Sequence, residues 1–200
     1  MAAAAALGSV GLLTASLLAA PAAVAQSRRQ GQDCAQIERG RYLATAADCT
    51  ACHTDPDGGQ PFAGGRPIQT PFGTMVAPNV TPDPQTGIGS WSDAQFDAAL
   101  RRGTMPNGAR LYPAMPYVYY TRMSAADARA IHAYLKTVAP VRHAVVPDQL
   151  PCQFNIRFVM RICDALYFHP GTFRPVRARS VQWNRGAFLV EGPGHCEACH

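Results

Sequence analysis

Lysine is almost absent from this chain: Lys136 is the only one among 200 residues, so arginine carries the formal net charge of +5. The arginines form no basic run, which argues against nucleic acid as a partner. A basic face for an acidic redox partner or for anionic lipid stays open beside a merely solvated surface. Unbroken regular segments are also scarce. Glycine and proline number 17 each, too many for a large sheet, and they point to short helices joined by long turns. Residues 1–25 contain neither acid nor base and end in Ala23-Val24-Ala25, a small-x-small pattern for signal-peptidase cleavage before Gln26. The positive charge that normally opens such a segment is missing. The expectation is a cleaved signal peptide over 1–25, the alternative an uncleaved anchor of bilayer-spanning length. Both readings export the remainder.

Seven cysteines in an exported chain would first suggest disulfides. Their spacing gives a different answer. Four of them fall in two Cys-x-x-Cys-His units, Cys49-Thr50-Ala51-Cys52-His53 and Cys196-Glu197-Ala198-Cys199-His200, leaving Cys34, Cys152 and Cys163. Each unit is an attachment signal for haem c. The thiols of Cys49 and Cys52 add to the two vinyl groups, and the adjacent imidazole of His53 reaches the iron; Cys196, Cys199 and His200 repeat the arrangement. Zinc bound by four thiols is the competing use, but the two pairs lie almost the whole chain apart, unlike a compact zinc ribbon. A redox dithiol is another, but no βαβ pattern surrounds either unit.

An internal repeat supports the doubled reading. Arg39-Gly40-Arg41-Tyr42-Leu43 precedes Cys49, and Arg185-Gly186-Ala187-Phe188-Leu189 precedes Cys196. The glycine stands nine residues before the cysteine in one copy and ten in the other. The pattern predicts a helix over 35–51 running into the first unit, then an irregular loop over 55–89. Ser92 and Gln95 form a capping box, with Trp91 and Phe96 as a hydrophobic staple and Gly103 as the stop. Ser124 caps a helix to about Val138. Between Pro147 and Pro175, Phe154, Phe158, Ile162 and Leu166 recur every four residues with Val159 beside them, opposite Arg157, Arg161 and Asp164. This is an amphipathic helix, either a linker packed on its own domain or a docking or membrane-surface helix. If one helix ran through Cys152 and Cys163 they would be roughly 16 Å apart and unable to bridge.

An electron-transfer iron needs a sixth ligand, and methionine sulfur raises its potential. Met115, 62 residues after His53 in a proline-bracketed loop, is the leading candidate, and Met105, also followed by proline, is its rival. Met75 and Met123 read as packing or surface residues. The carbonyl that orients His53 is expected in the 61–71 loop. His132 reads as a partly buried surface residue, and His143, His169 and His195 have no assigned role.

The succession of Cys49–His53, Phe62-Ala63-Gly64-Gly65, Thr70-Pro71-Phe72-Gly73, Asn79-Val80-Thr81-Pro82-Asp83, Thr86-Gly87-Ile88-Gly89 and Leu111-Tyr112-Pro113-Ala114-Met115-Pro116-Tyr117 resembles the multihaem cytochrome c subunits of membrane-bound bacterial dehydrogenases acting on alcohols, gluconate, sorbitol or aldehydes. The likeness extends through Trp183-Asn184-Arg185-Gly186 to Gly194-His195-Cys196. It implies an all-α fold, with a class I cytochrome c domain over 34–145, a linker over 146–182 and the truncated start of a second such domain over 183–200. It also implies three haem c groups in a full-length protein. This chain would hold one complete site and one partial site: Cys49, Cys52, Cys196 and Cys199 as covalent attachments, His53, Met115 and His200 as axial ligands. The implied role is periplasmic electron transfer at the inner membrane, from a quinoprotein, flavoprotein or molybdenum dehydrogenase subunit towards ubiquinone or a terminal oxidase. The chain itself would do no substrate chemistry. The alternative is a dihaem peroxidase-type enzyme with an open iron.

Overall fold

In the computed structural model, which describes residues 30–198 and 200, helix α1 covers 30–46 and then stops short of the first Cys-x-x-Cys-His unit. The signal peptide expected over 1–25 and Cys199 lie outside the described residues. The chain divides after Gln36, and the unit Ile37–His200 holds both Cys-x-x-Cys-His sequences. The single helix predicted over 35–51 is corrected to two. Ala47 and Asp48 make a turn, and α2 (Cys49–Cys52) begins anew. Asp48 has φ +53°, the left-handed region that aspartate enters more readily than most residues. No glycine marks the break, so the periodicity runs through it.

The capping box predicted at Ser92 forms, and the helix capped by Ser124 carries one as well. At α3 (Asp93–Arg102), the Gln95 N–H donates to Ser92 Oγ at 3.3 Å and the Ser92 N–H to Gln95 Oε1 at 2.9 Å. Gly103, at φ +61°, ends that helix. At α5 (Ala125–Leu135), Asp127 closes the box with Ser124 and also receives Arg39 from α1. The α5 helix ends at Leu135 rather than Val138. There the bonds shorten to i→i+3, from Thr137 N–H to Tyr134 O and from Val138 N–H to Leu135 O. Between α3 and α5 lies the single turn α4 (Tyr117–Tyr120).

The core gathers where these helices meet: Leu43 and Ala47, Phe96 and Leu100, Tyr120 and Met123, Ala128, Ile131 and Leu135. Met75 is buried as well, so Met75 and Met123 are packing residues. Helix α1 approaches α5 so closely that a Cβ on Gly40 would lie 1.9 Å from Ala130 O. No side chain fits there.

The 55–89 segment holds regular structure, contrary to expectation. Strands β1 (Pro67–Thr70) and β2 (Gly73–Val76) pair antiparallel, Pro67 opposite Val76 and Thr70 opposite Gly73. Pro67 opens its strand and Pro71 sits in the turn, so neither proline interrupts the ladder.

Helix α6 (Arg157–Tyr167) follows a 3-10 turn at Cys152–Phe154. Cys152 and Cys163 therefore lie on separate elements, both as free thiols. Helix α6 packs with its polar side inward, Asp164 and Arg157 bonding to residues of the 110–117 segment. Asp164 is 8% exposed, whereas Phe158 is 66%, Ile162 51% and Leu166 62% exposed. Helix α7 (Val181–Glu191) is capped by Ser180, whose Oγ receives the Trp183 N–H at 3.1 Å. A 3-10 turn at Cys196–Ala198 follows.

Candidate haem-attachment site

Left-handed Asp48 turns the chain so that α2 places Cys49 and Cys52 one turn apart, with His53 closing the turn through its N–H to Cys49 O at 2.9 Å. His53 is buried, and its Nδ1 lies 2.8 Å from Pro78 O. A carbonyl only accepts, so Nδ1 carries the proton and the Nε2 lone pair is free for a metal. Burial lowers the pKa of His53, with the Pro78 carbonyl opposing, and keeps the ring in this neutral form. The orienting group is thus a backbone carbonyl, but at Pro78, not in the 61–71 loop. Two features fix it. Gly64, at φ +77°, lets its loop press on this segment, where a Cβ would stand 2.5 Å from Pro78 C. Buried Asn79 receives the Thr81 N–H at 2.9 Å and donates to Val141 O at 2.7 Å.

The thiols do not resemble those of a redox dithiol. Burial, then Cys52 and Asp48, push the Cys49 thiol up to about 12. Cys52 is raised by burial and Asp48, with Arg66 opposing. Reactive dithiols are shifted the other way.

Cys49, Val80, Trp91 and Met115 all pack on the core while remaining only half-buried. Two thiols, a neutral imidazole with a free Nε2 and half-buried apolar side chains on the same core fit haem c. Cys49 and Cys52 would hold it by thioethers and His53 would ligate its iron. Met115 is one of the half-buried side chains packed on the core, its N–H donating to Tyr112 O at 3.0 Å. Met105 lies in a tight turn closed by its own N–H to Ala109 O at 2.9 Å, and it is not among the residues packed on the core.

The second unit shares two backbone features with the first, although its turn is 3-10 rather than α-helical. His195 has φ +38° directly before Cys196, as Asp48 has φ +53° before Cys49. The His200 N–H reaches Cys196 O at 3.2 Å, matching His53 to Cys49. Cys196 and His200 are exposed.

Two buried residues go beyond what the sequence assigns them. The Tyr120 hydroxyl donates to Ala47 O at 2.7 Å, holding the α1–α2 turn, and its ring meets His195 edge-on at 5.8 Å. Its hydroxyl pKa is raised by burial first, then by the neighbouring Cys49 and Cys52. Tyr120 therefore stands between the two units. The aromatic run Tyr117–Tyr120 is its only signal in the sequence. His132, expected to be partly buried, is fully buried: it stacks on Phe96 at 4.6 Å and pairs Nδ1 with Asp93 Oδ1 at 2.7 Å. His143 holds Ala63 O at 2.9 Å, and His169 is exposed.

Helices packed around a Cys-x-x-Cys-His turn, with a buried neutral histidine, define a haem c-binding domain. The cytochrome c family pattern matches residues 37–139, and the chain belongs to that family. It is 48% identical over 166 residues to a nicotinate dehydrogenase subunit of Pseudomonas putida, covering 83% of this chain and 14% of that protein. Identity is 46% over 169 residues to the gluconate 2-dehydrogenase cytochrome c subunit of Pantoea cypripedii, 83% and 38% of the respective lengths. It is 42% over 168 residues to the fructose dehydrogenase cytochrome subunit of Gluconobacter japonicus, 82% and 34%. The chain thus spans between 14% and 38% of the length of these relatives. Membership implies covalent haem c and electron transfer.

Proposed function

We propose that the chain belongs to a multihaem electron-transfer subunit, with a cytochrome c domain over 34–145, a linker over 146–182 and the start of a second domain at 183. Haem c supplies a one-electron couple. Cys49 and Cys52 would anchor one haem and His53 and Met115 would ligate its iron, while Cys196, Cys199 and His200 would hold a second. The observation that carries this reading is the repeated turn, a left-handed residue followed by Cys-x-x-Cys-His, on both sides of Tyr120. Electrons enter from the catalytic subunit of a dehydrogenase, of quinoprotein, flavoprotein or molybdenum type, and leave towards ubiquinone or a terminal oxidase. The names of the relatives support a dehydrogenase partner. The chain performs no substrate oxidation itself, and the full-length protein carries three haems.

An absorption spectrum of periplasmically matured protein tests the site. The weak long-wavelength band of sulfur-ligated iron is expected in the wild type and in Met105→Ala, and is lost in Met115→Ala. Its persistence in Met115→Ala removes Met115 as ligand. Zinc without haem in the matured protein overturns the whole reading.

The seat of the subunit is the periplasmic face of the inner membrane. No helix among the described residues is long and apolar enough to cross a membrane. A surface contact needs an exposed apolar stripe beside basic groups. The outward stripe of α6 suits it. Phe154 stacks edge-on with exposed Phe72 at 5.1 Å and extends the stripe. Residues 149–180 hold five arginines against one acid, the buried Asp164. That balance favours anionic lipid, and it disfavours a second copy, which would bring the arginines together. Haem-loaded chain lacking residues 1–25 is expected to sediment with vesicles containing phosphatidylglycerol. Binding should be at least tenfold weaker in a Phe158→Asp, Ile162→Asp double variant. Equal binding by the two proteins overturns this seat.

A further inference from the structure

The inward side of α6 does more than attach a linker. Asp164 receives two donors from one loop: the Tyr117 hydroxyl on Oδ1 at 2.6 Å and Arg110 Nε on Oδ2 at 2.6 Å. These donors flank Met115, five residues before it and two after. The same loop is held at two further points. The Tyr112 hydroxyl donates to Phe154 O at 2.8 Å, and Arg157 donates to Arg110 O at 3.0 Å while lying over the Tyr112 ring at 4.8 Å. Arg157 is itself fixed by Asp148 at 3.0 Å. Tyr117 is fully buried, wedged between Gly103, where a Cβ would stand 2.8 Å from its ring, and Phe168, whose ring meets it edge-on at 5.3 Å. Its N–H closes on Met115 O at 2.7 Å, so the two residues move together.

We propose that Asp164 is a positioning residue for Met115: through Tyr117 and Arg110, it holds the 110–117 loop where the thioether faces the haem. The inference rests on Met115 as the sixth ligand. It assigns the linker a part in the first haem site, so a segment outside the family-matched region 37–139 tunes the iron within it. A carboxylate suits the task because it accepts from hydroxyl and guanidinium at once, one on each oxygen. Asparagine keeps one acceptor and loses the charge, and alanine loses both.

The test is the pH at which ferric, haem-loaded protein loses its sulfur–iron band, together with the reduction potential. Asp164→Ala should lose the band at a pH at least one unit lower than the wild type and show a lower potential, since methionine ligation raises it. Asp164→Asn and Tyr117→Phe should fall between. If the alanine variant does not fold, these two carry the test. Asp127→Ala, which breaks the capping box of α5 and the Arg39 pair, serves as control. It should lower stability and leave the band's pH unchanged. Unaltered band and potential in Asp164→Asn and Tyr117→Phe, beside a band lost in Met115→Ala, overturn the positioning role and leave the ligand in place. A band surviving in Met115→Ala overturns both. An equal shift in Asp127→Ala reduces the effect to general loosening and overturns the specific one.

Discussion

Helices α1 and α7 carry related sequences into related turns, yet their surroundings differ at nearly every point. Gly40 is pressed against Ala130 O, while the equivalent Gly186 meets nothing within 4 Å. Arg39 binds buried Asp127, whereas Arg185 lies over the rings of Tyr42 and Phe188 at 5.0 and 5.2 Å. His53 is buried against Pro78 O, and His200 is exposed. What the copies share is local: a left-handed residue, one helical turn and a histidine N–H on the first cysteine's carbonyl. What they do not share comes from a domain body wrapped around the first copy. The motif can thus form its own backbone, but only the body buries and orients its histidine.

Breaking the comparison at the glycines gives the largest effect. Gly40→Ala should destabilise the chain by about 3 kcal/mol or more, because backbone must separate from backbone. A denaturant midpoint close to wild type would show that α1 and α5 are not in contact. A smaller effect separates the copies by pH. His132, on α5, supports only the first copy, and its ring faces Asp93 and Lys136. Burial, its leading cause, lowers its pKa below 6.5 despite the opposing bond to Asp93. The unfolded chain therefore takes up the proton first. The stability due to a neutral His132 is complete above pH 6.5 and declines as pH falls below it, by at most about 1.4 kcal/mol per pH unit. His132→Gln should flatten the part of the profile that declines below about pH 6.5; an unchanged slope would place the proton uptake elsewhere. The smallest effect is Gly186→Ala, a stabilisation of about 0.5–1 kcal/mol from helix propensity in open space. A loss there would mean that α7 has a close neighbour after all.

The features legible in the sequence are those set by neighbours along the chain. Ser92 with Gln95, Ser124 with Asp127, and Gly103 each act within four residues, and each is recognisable without the fold. The break before Cys49 is hidden because Asp48 enters the left-handed region without being glycine. The hairpin is hidden because prolines usually end strands, though here they sit at its start and in its turn. A carbonyl acceptor for His53 is foreseeable, but choosing Pro78 requires knowing that Gly64 lets two loops touch. Periodicity gives α6 two faces without saying which one points inward. That depends on Arg110 and Tyr117, 54 and 47 residues from Asp164.

The orientation of α6 also governs how this chain behaves as a colloid. With Arg157 and Asp164 engaged in the domain, the helix cannot roll over to shelter Phe158, Ile162 and Leu166. Mutual repulsion from the net charge of +5 is what keeps such stripes apart in water. As pH approaches the isoelectric point near 9.0, that repulsion vanishes while the stripe stays outward. Concentrated protein should then cloud on the alkaline side and in high salt, and clear again with mild detergent.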